Sequence, residues 1–193
     1  MILFWFSIAT IVVELLFGFK LADESFGVVC GAIVGILSSA ILLMLTPACW
    51  RFRIAGIMGI LSAVLDTAQL FMNNQILLLL INLTAIVISL VGLYQQFMGL
   101  MDVTANFDSN LADKWGNLWI ANFVCLCVTG LGMLLVLLGS IGAFFAALAT
   151  FAGVLGALVL SVLRMIYLYR TGNMFSRYAN NITELGLNFE NNT

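Results

Sequence analysis

The chain has 193 residues, of which 63% are hydrophobic and 8% are charged, and its formal net charge is −2. An ordinary soluble domain carries about 25% charged residues, so a soluble fold could not bury this much apolar surface. The seven basic residues are scattered along the chain, which leaves no electrostatic footprint for nucleic acid.

Six apolar segments follow one another, each close to the about 20 residues that a membrane-spanning helix needs. They cover residues 2–19, 26–46, 54–72, 76–101, 118–138 and 141–168. We therefore expect an all-α, polytopic membrane helix bundle: a six-helix transmembrane domain over residues 1–168 and a polar cytoplasmic tail over 169–193. The first segment lacks the basic start of a signal peptide and contains Glu14, which predicts a retained helix.

The connection before the fifth segment carries a helix start of its own. Asp108 and Ser109 are good N-cap residues, and Leu111, Trp115 and Leu118 then fall on one helical face. This pattern predicts that the fifth helix begins well before residue 118.

The basic residues predict an orientation, because Lys and Arg are retained on the cytoplasmic side of short loops. With both termini in the cytoplasm, six of the seven lie at the inner face and only Lys20 lies outside. The six are Arg51, Arg53, Lys114, Arg164, Arg170 and Arg177. We expect the cell or plasma membrane as the location.

The residue types argue against metal, cofactor and hydrolytic chemistry. The chain contains no His, and its four cysteines are not spaced to grip a metal together, so we expect neither a metal nor a cofactor. Neither a His-containing triad nor a phosphate-cradling loop is present. The sequence therefore predicts a protein that is not an enzyme.

Small residues at four-residue intervals predict close helix contacts, which are the main packing device between helices in lipid. The second segment has Gly27, Gly31 and Gly35, and the sixth has Ala149 and Gly153 among others. These faces fit a neighbouring helix of this chain, a partner subunit or a second copy. In helix count, size and its glycine row, the chain resembles the substrate-capturing subunits of energy-coupling-factor vitamin transporters.

Polar side chains at helical spacing form lines on four segments, which predicts that these faces point into the bundle. The lines are Ser7, Thr10 and Glu14; Ser62, Asp66, Gln69 and Asn73; Asn82, Ser89 and Gln96; and Asn122, Cys125 and Thr129. At about 1.5 Å per residue, Glu14 and Asp66 each lie about 18 Å from the inner end of their helix, and Gln69 and Asn82 approach the same layer.

No basic residue shares that layer, because Arg164 falls about 34 Å along its helix, at the inner surface. Each acid is therefore protonated, hydrated, or paired with a proton, a metal cation or a cationic ligand. One interpretation is that Glu14, Asp66, Gln69 and Asn82 line an outward-facing pocket or a proton or cation relay. The other is that both acids are protonated and only hydrogen-bond neighbouring helices.

A second polar group lies at the inner helix ends and consists of Gln95, Gln96, Ser161 and Arg164. Arg164 there is expected to reach the lipid headgroups, with an anion site as the alternative.

Two functional hypotheses remain. The first is a small membrane protein that binds or transports a small solute, a cation or a proton. The second is a structural or assembly subunit of a membrane complex, favoured by the small-residue faces. The expected partners are the lipid bilayer, a small cationic solute or proton, and a membrane subunit or a second copy of the chain.

Overall fold

The computed structural model describes residues 24–72, 74–135 and 139–190. The predicted first segment, with Glu14, lies outside these residues. The described elements are α1 (Glu24–Met44), α2 (Trp50–Ala68), a 3-10 turn (Gln69–Phe71), α3 (Gln75–Ala105), α4 (Ser109–Leu135) and α5 (Gly139–Glu190). The other five predicted segments thus each correspond to one helix.

Four helical stretches are long and apolar enough to cross a membrane. They are Trp50–Phe71, Gln75–Ala105, Ser109–Gly132 and Gly142–Ala179, and Val29–Met44 of α1 is a shorter apolar helix. The large side chains on these helices are mostly apolar and many are exposed, as lipid-facing surfaces require. The described part of the chain is all-helical, and its apolar helices indicate a membrane protein.

Side-chain caps explain where two of the helices begin. Asn74 Oδ1 accepts hydrogen bonds from the backbone N–H groups of Ile76 (3.0 Å) and Leu77 (3.4 Å) at the start of α3. Asp108 Oδ1 accepts one from the Leu111 N–H at 3.1 Å at the start of α4. Such caps satisfy N–H groups that have no partner within the helix. The predicted early start of the fifth helix is therefore confirmed.

The chain divides into two compact units, with the boundary between Trp119 and Ile120. In the first unit, α2 packs against both α1 and α3. Glycines permit the close approach to α1: a Cβ placed on Gly56 would lie 2.9 Å from the Ser39 carbonyl oxygen, and one on Gly59 would collide with the Ser39 hydroxyl. Small residues thus bring the backbones together here, as they do in many membrane bundles.

An aromatic cluster joins α3 to the first turns of α4 in the same unit. The Phe97 ring lies 5.9 Å from the rings of both Trp115 and Trp119, and Tyr94 lies 5.4 Å from Trp119. Trp115 is fully buried, with an exposed fraction of 0%. The predicted apolar face of α4 is therefore its packing face.

The second unit contains the remainder of α4 and α5, which also meet through small residues. A Cβ placed on Gly132 would lie 2.9 Å from the Ala149 Cβ, and one on Gly156 would lie 2.7 Å from the Cys125 Sγ. Helix α5 has 52 residues, or about 78 Å of helix at about 1.5 Å per residue. It greatly exceeds a hydrocarbon core about 30 Å thick. The predicted polar tail is thus helical as far as Glu190.

Candidate functional site

The candidate site lies along the contact between α2 and α3, which we call the α2–α3 seam. It runs from Arg51 and Asp102 at one end to Gln69 and Asn82 at the other. The two helices are antiparallel, since Phe52 packs on Gly99 at one end of the contact and Ser62 meets Ser89 further along.

Close backbone packing holds the seam together between these two contacts. A Cβ placed on Gly99 would lie 2.9 Å from Cε1 of the Phe52 ring. A Cβ placed on Gly92 would lie 3.2 Å from the Met58 Cβ and 3.9 Å from the Gly59 nitrogen. Gly92 and Gly99 are both buried, so this half of the seam is tightly closed.

Polar side chains meet in the middle of the seam. The hydroxyl oxygens of Ser62 and Ser89 lie 2.7 Å apart, and Asp66 follows Ser62 one turn further along α2. A serine hydroxyl has a single hydrogen, so one of the two hydroxyls donates and the other accepts. The contact crosses from α3 to α2, one turn from a carboxylate.

Asp66 has no basic partner in the described part of the chain. The ion pair found among those residues joins Arg51 and Asp102 instead. Arg53, on the same helix as Asp66, is about 20 Å away along the helix axis at about 1.5 Å per residue. The Asp66 side chain is exposed on the surface of α2.

The remaining predicted site residues lie beyond the serine pair. Gln69 is half-buried in the 3-10 turn after α2, and Asn82 is exposed on α3. The antiparallel register is fixed by the contacts of Gly59 with Gly92 and of Ser62 with Ser89. Of the four predicted residues, Asp66, Gln69 and Asn82 lie between the serine pair and the Asn74 end of the two helices, and Glu14 is outside the described residues.

Sequence reasoning did not assign Ser62 and Ser89 to the site, although both were in the predicted polar lines. Their spacing showed that each belonged to a polar face. Which faces meet depends on the packing of the two helices, and the sequence did not contain that information.

The other end of the seam holds a charged cluster. Arg51 Nε donates to Asp102 Oδ2 at 2.6 Å, and Arg51 Nη1 donates to Gln95 Oε1 at 3.3 Å. The guanidinium carbon of Arg51 also lies 5.6 Å from the centroid of the Trp50 ring. Gln95 and Asp102 are two turns apart on one face of α3, so Arg51 spans both turns from the neighbouring helix.

This cluster includes one member of the predicted inner polar group. Gln95 contacts Arg51, and Gln96 follows it on α3. Ser161 and Arg164 are half-buried on α5, in the second unit. The contribution of Arg51 and Asp102 was missed because these residues are far apart in the sequence.

The predicted packing residues lie in different environments. A Cβ on Gly35 would lie 3.7 Å from the Ala63 Cβ, and Gly153 packs directly against the Thr129 hydroxyl, while Ala149 faces Gly132. In the described part of the chain, no atom approaches within 4 Å of a Cβ placed on Gly31. Gly27 lies within α1, and its contacts lie outside the part of the structure that is described.

The described residues contain no group of three or more His, Cys, Asp and Glu side chains that could hold a metal ion. All four cysteines are free thiols. Neutral oxygens and one carboxylate are thus the ligand types that the middle of the seam presents.

No protein-family model, no curated protein and no solved structure matches this chain.

Proposed function

We propose that this multi-pass integral membrane protein binds a proton or a small cation at Asp66 and carries it through the membrane along the α2–α3 seam. The supporting observation is the contact between the Ser62 and Ser89 hydroxyls, one helical turn from the carboxylate of Asp66. A carboxylate thus lies near neutral hydroxyl oxygens in a helix that is long and apolar enough to span a membrane.

The energetics of a carboxylate in lipid favour an external counter-charge. An acid at the centre of a membrane-spanning helix costs about 2.5–3.5 kcal/mol on insertion scales, and the cost is smaller for Asp66, which lies near the end of the Trp50–Phe71 stretch. Acids in such helices generally line ion pathways or proton relays. Hydroxyl, amide and carboxylate oxygens suit a hard cation. A proton or cation at Asp66 would offset the cost, with Ser62, Ser89, Gln69 and Asn82 supplying neutral oxygens.

We further propose an orientation for the chain in the membrane. With both termini in the cytoplasm, the Arg51 end of the seam is the inner end, where Arg51 and Arg53 are favoured, and the Asn74 end opens outward. We take the number of crossings as six, an even number that places both ends inside, with the first segment contributing Glu14 as a second acid. The role is non-enzymatic, and it requires neither a cofactor nor a resident metal.

The test is cation flux in proteoliposomes that contain the full-length chain. An imposed gradient of protons, Na⁺ or K⁺ is applied, and flux is followed with a pH-sensitive or cation-sensitive dye. The variant is Asp66→Asn, which keeps the shape of the side chain and removes its charge. Its matched control is Asp113→Asn, because Asp113 is exposed in the first turns of α4 and lies outside the seam.

We expect flux of one of these cations in the unsubstituted chain and in Asp113→Asn, and at least a tenfold loss in Asp66→Asn. An Asp66→Asn variant that is folded and as active as the control would contradict the proposal. The absence of flux of all three cations in the unsubstituted chain would contradict it as well.

A second candidate function is that of an assembly subunit, and the environment of Gly31 favours it. Gly35 contacts α2, whereas Gly31, one turn earlier in α1, is exposed. A small-residue surface of this kind suits a helix of another subunit or of a second copy. Purification in mild detergent would identify this function by a stoichiometric partner that is lost when Gly31 is replaced by Leu.

A further inference from the structure

We propose that the cation bound at Asp66 is a proton and not a metal ion. This inference rests on the proposed function, which names Asp66 as the binding group and leaves both kinds of cation open. The oxygen atoms near the carboxylate decide between the two.

A metal ion needs more oxygen ligands than the neighbours of Asp66 supply. Hard cations such as Mg²⁺ and Ca²⁺ take about six to eight oxygens, each about 2.0–2.6 Å from the ion, so the ligands of one ion lie within about 5 Å of one another. Dehydrated K⁺ likewise depends on rings of carbonyl oxygens. The helical neighbours of Asp66, three and four positions away, are Ser62, Ala63, Gln69 and Leu70. Only the serine and the glutamine among them carry a side-chain oxygen.

These two oxygen-bearing neighbours lie on opposite sides of Asp66. Ser62 and Gln69 are seven residues apart, or about 10.5 Å along the helix axis at about 1.5 Å per residue. An ion on the serine side would reach Ser62 and, through the 2.7 Å contact, Ser89. Two carboxylate oxygens and two hydroxyl oxygens then make four ligands, which is fewer than a hard cation takes.

Helix α3 adds no further side-chain oxygen at the serine pair. Ala85, one turn from Ser89, is buried and apolar. In the other direction from Ser89, a Cβ placed on Gly92 would lie 3.2 Å from the Met58 Cβ. Asn82 is seven residues from Ser89, again about 10.5 Å along the axis. The remaining ligands of a metal ion would have to be water molecules, which a long apolar helix in lipid does not favour.

A proton needs one carboxylate oxygen and leaves Asp66 neutral. A protonated carboxyl group donates one hydrogen bond, which a single neighbouring oxygen can accept. Either hydroxyl of the Ser62–Ser89 pair can be the donor in their contact, so the pair can reverse its direction when Asp66 gains or loses the proton. Release of the proton restores the carboxylate, and no other bond is formed or broken.

The other titratable groups on α2 and on the two helices packed against it do not pair with Asp66. They are Arg51 and Arg53 on α2, Glu24 and Cys30 on α1, and Tyr94 and Asp102 on α3. Arg51 and Asp102 pair with each other, about 22 Å from Asp66 along α2. Cys30 lies five residues before Gly35, which contacts α2, and is thus about 140° away from it around the helix. In the described part of the chain, none of the six forms an ion pair with Asp66.

The test asks whether a metal ion competes with the proton at Asp66. The full-length chain is reconstituted in lipid, and the C=O band of protonated carboxyl groups is followed by infrared difference spectroscopy as the pH is varied. The Asp66 titration is the part of the signal that is lost in Asp66→Asn and kept in the matched control Asp113→Asn. Each titration is run in choline chloride and repeated with Na⁺, K⁺ or Mg²⁺.

We expect the midpoint of the Asp66 titration to differ among the four salts by less than about 0.3 pH unit, which is a twofold change in proton affinity. A metal ion present at about ten times its dissociation constant would displace the proton and lower the midpoint by about one pH unit. Asp66→Glu keeps the carboxyl group and should titrate with the same insensitivity to metal ions. This second variant guards against a folding defect in Asp66→Asn.

A midpoint lowered by any of the three metal ions, in the unsubstituted chain and in Asp113→Asn, would overturn the proton. An Asp66 that does not change its protonation state across the pH range would overturn it as well. The titration is measured at equilibrium and requires no transport, so its outcome is separate from that of the flux assay. Asp66-dependent Na⁺ or K⁺ flux with a lowered midpoint would leave the proposed function and remove the proton. An unchanged midpoint without flux of any cation would leave the proton at Asp66 and remove the proposed transport.

Discussion

The hydroxyl oxygens of Ser62 and Ser89 lie 2.7 Å apart across two antiparallel helices, one turn from the close approach of Gly59 to Gly92. The two features depend on each other, because serine side chains are short and can meet only where the backbones are close. The close approach of the two glycines thus sets a helix separation at which the Ser62 and Ser89 hydroxyls can hydrogen-bond.

Replacing Ser89 by Ala should weaken the α2–α3 contact. The loss of one hydrogen bond between membrane helices costs about 0.6 kcal/mol on average and up to about 1.7 kcal/mol. Unfolding of the chain in mixed micelles, followed by circular dichroism against increasing SDS, measures the change.

Thr84→Val provides the control for Ser89→Ala. The Thr84 hydroxyl donates to the Leu80 carbonyl of its own helix at 2.8 Å and lies on an exposed face of α3. Removing the Thr84 hydroxyl should lower the unfolding free energy by less than removing the Ser89 hydroxyl does. The double variant Ser62→Ala with Ser89→Ala should cost less than the sum of the two single variants. Additive costs would mean that the two hydroxyls do not interact.

Replacing Gly56 by Ala should destabilise the contact between α1 and α2. The added Cβ would lie 2.9 Å from the Ser39 backbone oxygen and 2.7 Å from the Leu43 Cγ. Leu43 can move aside, but the backbone oxygen cannot move without shifting the helix. Overpacking of this kind costs about 1–3 kcal/mol, which thermal unfolding in detergent would detect.

Gly31→Ala is the matched substitution in an open environment. It adds the same methyl group where no described atom lies within 4 Å. Alanine is favoured over glycine in a helix by about 0.8–1.0 kcal/mol, so this variant should be neutral or more stable. A similar loss of stability in both variants would show that the close approach at Gly56 is not the cause.

The features predicted best from the sequence are those that depend on residues close together in the chain. Asp108 caps α4, and Leu111, Trp115 and Leu118 are all buried on one face, as their spacing indicated. Five of the predicted apolar segments form helices, because a long run of apolar residues by itself predicts a membrane helix.

Contacts between distant residues were less accessible to sequence reasoning. Arg51 and Asp102 are 51 positions apart, and their pairing depends on the register in which α2 and α3 pack. The helical spacing correctly placed Ser62 and Ser89 on polar faces of their helices. It did not predict that the two side chains are in direct contact. Likewise, the polar composition after residue 168 concealed the continuation of α5 to Glu190.

Replacing Trp115 by Ala should be the most destabilising of these changes, because this side chain is fully buried between α3 and α4. Removing a buried aromatic ring costs about 3–5 kcal/mol, and the edge-on contact with Phe97 adds to the loss. Trp115→Phe should recover much of the stability by keeping a ring in the cluster. The control is Trp50→Ala, whose side chain is 61% exposed and should cost much less. Intrinsic tryptophan fluorescence and thermal unfolding of the three variants measure the order, and equal losses at Trp50 and Trp115 would contradict the buried position of Trp115.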